Sequence, residues 1–208
     1  MEKNKKVNLR KEKAIQTKNA LFAAAIELFK EKGYHNVTVD EIAKRAGTAK
    51  GTFYIYFENK SKVIVEEFIK IDLYYEKVYP QLENCKTATE KISLFTKKQL
   101  TFIKNLGLDM LRVLYLNQIE KNPDNTDKIL INEERKLFTV MSELIKSGIE
   151  SGEFKNSSSV AELTDWFNRS IRGLVLDWII AEGEYNLVAQ GLKYAENFLV
   201  VSLKHQAG

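Results

Sequence analysis

Cysteine is almost missing from this chain. Cys85 is the only one among 208 residues, so no intrachain disulfide can form. Without a His-bearing motif nearby, a lone thiol makes no case for nucleophilic catalysis, and a reducing compartment suits it. Histidine is nearly as scarce. His35 and His205 stand far apart, with no metal-ligand spacing around either. No nucleophile elbow, P-loop or GxGxxG run occurs. Apolar runs are short: the stretch 20–29 contains Glu27 and cannot span a bilayer, and no signal-like apolar core follows the basic stretch 1–13. These absences argue against an enzyme, a metal site and a membrane span. A cytoplasmic protein without a cofactor is expected.

Proline and glycine are also rare, at two and ten residues, which leaves room for long helices. Charge is uneven along the chain. Residues 1–62 carry 14 Lys/Arg against 7 Asp/Glu, whereas the remainder carries 18 against 21. A basic amino-terminal part on a mildly acidic body fits a nucleic-acid-binding head on a neutral scaffold.

Apolar residues recur at helical spacing nearly throughout. Residues 1–10 read as a loose arm in which Lys3, Lys5, Lys6 and Arg10 can lie along phosphates or stay solvated. Lys11 to Lys32 reads as one helix, with Ile15, Phe22, Ile26 and Phe29 inward and Gly33 as its stop. Further helices are predicted over 61–79, ending before Pro80, and over 87–106, 108–121, 127–151, 160–181 and 186–204, with a loop at 122–125. With a helical pair at 39–46 and 50–57, this gives an all-α protein of about nine helices: a DNA-binding head of three over 1–60 and a helical effector-binding and dimerisation body over 61–208.

The stretch 37–60 reads VTVDEIAKRAGTAKGTFYIYFENK. Thr38 and Glu41 form a capping box, so a helix starts at Val39. Ile42 and Ala46 share its apolar face, small Ala43 admits a crossing helix, and Gly47 suits a turn needing positive φ. In the second helix Phe53 and Phe57 face inward. Lys50, Gly51, Thr52, Tyr54 and Tyr56 form the other side, a cationic and aromatic set with one bare backbone position. Such a set suits a polyanion, and the crossed pair has helix-turn-helix form.

These residues resemble the TetR family of bacterial transcriptional regulators. Lys50-Gly51-Thr52-Phe53-Tyr54, Tyr56-Phe57 and Asn59-Lys60 match its recognition helix and the entry to the next helix; Thr38 to Ala43 with Ala46-Gly47 match the preceding helix. Two positions depart from the common pattern. Ala49 stands where Ser often caps, with Thr48 as a substitute, and Ile55 stands where His is common. The resemblance implies that Lys50, Gly51, Thr52, Tyr54 and Tyr56 face double-stranded operator DNA while Thr38 and Lys60 hold phosphates. It implies a homodimer and a small-molecule effector as partners.

The last two helices carry apolar residues on more than one side, which requires two packing partners. A second copy can supply one, placing two recognition helices ~34 Å apart on a pseudo-palindromic operator. A pocket follows chiefly from the resemblance. Candidate lining residues are Phe102, Met110, Tyr115, Phe138, Met141, Trp166, Arg169, Arg172 and Trp178, together with Phe95. Arg169 and Arg172 either meet an anionic ligand or pair with Asp165, Asp177 or Glu182, pairing being the commoner arrangement. The expected function is a ligand-responsive DNA-binding regulator, a repressor first, with an activator or a ligand-independent regulator of the same fold as alternatives.

Overall fold

Residues 2–119, 128–155 and 157–204 are described by a computed structural model, with side chains from residue 9 on. The described residues are helical, with no strand among them. The chain divides into two compact units, Met1–Phe68 and Ile69–Gly208. The loop expected at 122–125 and His205 lie outside the described residues.

In the first unit, α1 spans Glu2–Lys32, followed by a 3-10 turn at Tyr34–Asn36. Then come α2 (Val39–Arg45), α3 (Lys50–Tyr56) and α4 (Lys60–Ile69). The arm expected at 1–10 is instead continuous with α1, since no Gly or Pro interrupts the chain before Gly33. Gly33, at φ 80°, ends that helix. Ile15 does not face inward as expected; it is 60% exposed. The core of this unit uses the second half of α1, where Leu21, Ala25, Leu28 and Phe29 are buried against Val37, Ile42, Phe53 and Phe57.

The second unit begins with α5 (Ile71–Val78), set off from α4 by a turn at Lys70 where one unbroken helix is expected. Lys70 itself keeps right-handed helical dihedrals. Pro80 sits in the 3-10 segment Tyr79–Asn84 that closes this stretch. α6 (Ala88–Leu106) follows, then α7 (Leu108–Ile119), α8 (Lys136–Glu150), α9 (Val160–Ile180) and α10 (Leu187–Tyr194). One turn of π-helix, Ala195–Leu199, leads into α11 (Val200–Lys204). Counting 60–78 and 187–204 each as one interrupted helix leaves nine among the described residues, in line with the expectation.

α6 runs through the middle of this unit, touching α5, α7, α8 and α10. Its start is held from two directions. Thr87 and Glu90 form a capping box, and Glu153 accepts from the Ala88 and Thr89 N–H groups at 2.7 and 3.0 Å. Four amide donors at a helix start have no partner within the helix, and Glu153 takes two of them. Gly191 of α10 lies so close to α6 and α9 that a Cβ there would collide with the Leu100 and Leu174 side chains. α8 starts at Lys136, later than expected. Asn132 Oδ1 accepts the Glu134 N–H, a local bond that competes with helix, and the Arg135 guanidinium reaches Asp72 and the Ile129 carbonyl.

Candidate nucleic-acid interface and ligand cleft

The helix-turn-helix is assembled by local chemistry on α2. Thr38 Oγ1 accepts the Glu41 N–H at 3.2 Å, while the Glu41 carboxylate accepts the Thr38 N–H at 2.8 Å. Glu41 also receives Lys32 at 2.7 Å, tying the start of α2 to the end of α1. Those bonds, the Lys32 ammonium first, hold its carboxyl down from the ordinary 4.5 to about 2. At the other end of α2, Arg45 donates to both oxygens of Glu31, at 3.1 and 2.9 Å. A bidentate guanidinium–carboxylate pair fixes orientation as well as distance. Gly47, at φ 68°, then turns the chain. The Thr48 N–H returns to the Ala43 carbonyl at 2.9 Å.

On α3, Phe53 and Phe57 are buried, with ring centroids 5.3 Å apart. The opposite side is open. Lys50, Gly51, Tyr54 and Ile55 are exposed, Ile55 at 75%. Thr52 and Tyr56 are half-buried at the flanks of that strip. No atom lies within 4 Å of where a Gly51 Cβ would stand, so another molecule's backbone can come close there. Ala49 occupies the N-cap and gives no side-chain bond; Thr48 does not replace it, because its hydroxyl points to the Ala43 carbonyl. Exposed Thr38 is committed to its own capping box.

Lys60 is engaged inside the head. Its ammonium donates to the Tyr34 and Val37 carbonyls and stands 4.4 Å over the Tyr34 ring. Burial lowers its pKa. Four residues absent from the expected site position the helix-turn-helix: Asp40 pairs with Lys50 at 2.6 Å, Arg45 with Glu31, and Tyr34 holds Lys60. The Arg45–Glu31 spacing carries no motif; only the fold brings them together.

In the second unit the expected lining residues scatter. Met110, Phe138, Met141 and Trp178 are buried, as is Phe95. Trp178 Nε1 donates to the Tyr185 carbonyl at 2.8 Å. Phe102 is half-buried and packs on the Tyr74 ring at 5.2 Å. Trp166 is 51% exposed, and exposed Arg169 pairs with Asp165 one turn back. Tyr115 and Arg172 do meet. The Tyr115 hydroxyl donates to the Arg172 carbonyl at 3.1 Å, and Arg172 donates to the Leu130 carbonyl at 3.0 Å. Both line a cleft of about 290 Å3 whose other walls include Ile119, Leu130, Ile131 and Leu176, with Lys128 at the side. Its walls are mostly apolar, and Arg172, its pKa lowered by burial, is a cation of that lining.

A further apolar band runs along the outside of α9 and its carboxy-terminal neighbours. Trp166, Leu176, Ile180, Phe198 and Val201 are all exposed on it. Trp166 and Phe198 share the walls of a shallow groove with Leu163, Phe167, Leu199 and Leu203. No cluster of metal-ligating side chains and no helix long and apolar enough to cross a membrane occurs among the described residues.

Comparison with known proteins agrees with this architecture. Residues 21–66 match the family described as bacterial regulatory proteins, tetR family, and residues 68–201 match the YsiA-like protein, C-terminal region. The chain is similar to the fatty acid metabolism regulator protein of Bacillus subtilis (strain 168), 31% identical over 172 residues, covering 80% of this chain and 85% of that one. Among solved structures it resembles the transcriptional regulator FadR from Bacillus subtilis in complex with stearoyl-CoA. That likeness has a TM-score of 0.67 and 27% identity, and covers 89% of this chain and 96% of the other. It also resembles the fatty acid degradation regulator FadR from Bacillus halodurans, with a TM-score of 0.68, 26% identity and coverage of 91% and 97%. With both units matched, and with a helix-turn-helix whose second helix turns its open side to solvent, the chain belongs to the TetR family of bacterial transcriptional regulators.

Proposed function

We propose that this regulator is a homodimeric repressor that leaves a pseudo-palindromic operator when a fatty acyl thioester of coenzyme A binds its body. The observation that carries the DNA-binding half is α3. One side is sealed by Phe53 and Phe57, and the other presents Gly51, Tyr54 and Ile55 to solvent, with exposed Lys50 paired to Asp40. A cation, a phenol and an approachable backbone suit phosphate and base-edge contacts in a major groove, and Ile55 suits a thymine methyl. Thr52 and Tyr56 flank that strip. Thr38 and Lys60 contribute indirectly, by fixing the helix ends.

The dimer rests on the band from Trp166 to Ile180 and on Phe198 and Val201, apolar surface that a second copy covers. The ligand class rests on the similarity to a fatty acid metabolism regulator and on the stearoyl-CoA complex of a 27% identical protein. The cleft beside Arg172 offers apolar walls for a chain and a cation for its polar end. Binding there would shift the population toward a dimer unfit for the operator, by no more than the ligand's differential affinity for the two forms.

Fluorescence anisotropy with labelled DNA from upstream of the protein's own gene tests this. Specific binding should weaken steeply with salt and be reversed by palmitoyl-CoA but not by free coenzyme A. Binding that ignores palmitoyl-CoA would remove the effector, and no specific binding would remove the regulator. The position of the protected site relative to the promoter separates repressor from activator.

A further inference from the structure

The segment 128–132 forms turns and no helix, and bonds to three helices set its place. Lys128 Nζ donates to the Gln118 carbonyl of α7 at 2.7 Å, and the Leu130 N–H to Gln118 Oε1 at 3.4 Å. Arg172 of α9 donates to the Leu130 carbonyl at 3.0 Å. Arg135 donates to the Ile129 carbonyl at 3.0 Å. Arg135 is itself anchored on α5, where its Nε and Nη2 donate to the two Asp72 oxygens at 3.0 and 3.2 Å. Its side chain is only 9% exposed and that of Asp72 24%. Every other ion pair among the described residues is more open. A buried pair is a weak source of net stability, and its best-attested use is to fix a register or a switch.

The same segment is a wall common to two clefts. Leu130 lines the apolar cleft that holds Arg172. Ile129 and Asn132 line a second one, of about 430 Å3, shared with Ile69, Asp72 and Arg135. Lys128 and Ile131 border both. The cations of the apolar cleft are Lys128 and Arg172, and each spends a donor on holding this segment. A ligand whose carbonyl or phosphate draws either cation takes a bond from the segment. A chain that fills the cleft also presses on Leu130 and Ile131. Arg135 carries a shift of the Ile129 carbonyl to Asp72. Asp72 follows closely on Ile69, the last residue of α4, and α4 begins in the head.

We propose that Asp72 and Arg135 are positioning residues that couple the apolar cleft to operator binding, with the segment 128–132 as the element that reads the occupant. This rests on the acyl-thioester reading above and adds the means by which the ligand is sensed. Neither residue lines the apolar cleft, and neither belongs to the open side of α3. Removing the pair therefore leaves both binding surfaces intact and lowers the coupling between them. Coupling is a free energy that the two sites share, so it is read from either one.

The test is anisotropy of the full chain on labelled operator, with and without palmitoyl-CoA, beside calorimetry of palmitoyl-CoA binding. In the wild type palmitoyl-CoA should weaken operator binding roughly tenfold or more. Asp72→Leu with Arg135→Met removes both charges together, so neither is left buried alone. That variant should bind operator and palmitoyl-CoA each within about threefold of the wild type, yet palmitoyl-CoA should change its operator affinity by less than about threefold. Arg135→Lys keeps the charge but loses the two-pronged contact. It should give an intermediate response, and it decides the matter if the double variant does not fold. Arg169→Met, which breaks an exposed pair on α9, should keep the full response. Variants of the pair that respond as the wild type does would overturn the proposal. So would loss of either binding on its own, which would make the pair a structural support only. A wild type that binds operator and ignores palmitoyl-CoA would overturn the acyl-thioester reading, and this one with it.

Discussion

Lys50 Nζ lies 2.6 Å from Asp40 Oδ2, so the first residue of α3 is paired with the second residue of α2. Both side chains are more than half exposed. The hydrogen bond to Asp40 raises the lysine's pKa, and in the free protein the pair holds the ammonium beside the turn. A DNA phosphate that reached Lys50, as proposed, would have to compete with that carboxylate. Asp40→Asn is expected to tighten operator binding at low salt, most visibly in anisotropy titrations below physiological ionic strength. Lys50→Ala should weaken it and reduce the slope of log K against log salt by about one.

Tyr54 is the exposed aromatic of the same strip. Tyr54→Ala combined with Lys50→Ala should abolish operator-specific shifts, since two of the open contacts disappear together. Both side chains are exposed, so the circular dichroism spectrum and sedimentation coefficient should match the wild type. A folded double variant with unchanged operator affinity would remove α3 from the interface.

Glu41 ties acid sensitivity to the helix-turn-helix. Its carboxyl is held down to about 2 by Lys32 and by the Thr38 amide and hydroxyl. A group whose pKa is depressed by folding contributes stability above its unfolded value, near 4.5, and loses it as pH falls toward the folded one. Depressed Glu31, Glu153 and Glu162 act in the same direction. Thermal melts should therefore show Tm falling between roughly pH 4.5 and 2, and Glu41→Gln should flatten part of that fall.

Two glycines should respond oppositely to alanine. Gly191→Ala drives a methyl into Leu100 and Leu174, and chemical denaturation should show a loss of about 1–3 kcal/mol. Gly51→Ala meets nothing, and helix propensity alone should add about 0.5–1 kcal/mol. The same methyl stands where DNA would approach, so the more stable Gly51→Ala protein should bind operator less well.

Phe198 and Trp166 flank one groove of the outer apolar band. Phe198→Glu should shift the protein toward monomer in sedimentation velocity and weaken operator binding, because two half-sites would no longer be held together. A variant that stays dimeric would place the interface elsewhere.

The head was readable because its signals are local. Thr38 with Glu41, Gly47, and Phe53 with Phe57 act within one or two turns, and each has the structural role that its spacing suggests. Ile15 misled because periodicity marks a face without saying whether anything packs on it. The late start of α8 turns on Asn132 holding the Glu134 amide and on Arg135 reaching Asp72, 63 residues away. Only the first of these leaves a trace in the sequence. Among the lining candidates, Tyr115 and Arg172 were brought together by the crossing of α7 and α9, which no spacing encodes. Trp166 and Arg169 lie on an outer face, whereas the sequence places them in the lining, since aromatic and charged residues on a helix read alike whether they serve a cavity or a surface.

The π-turn at Ala195–Leu199 leaves a mark on the reading frame of the helix that contains it. A wide turn takes up about one residue more than an α-turn, so everything beyond it is rotated by about 100° relative to a regular continuation of α10. Val200 and Leu203 point inward and Val201 outward only because of that extra residue. Loss of a single codon within 195–199 would let the helix run regular and still keep Val200 and Leu203 inward, because one residue fewer and one wide turn fewer cancel.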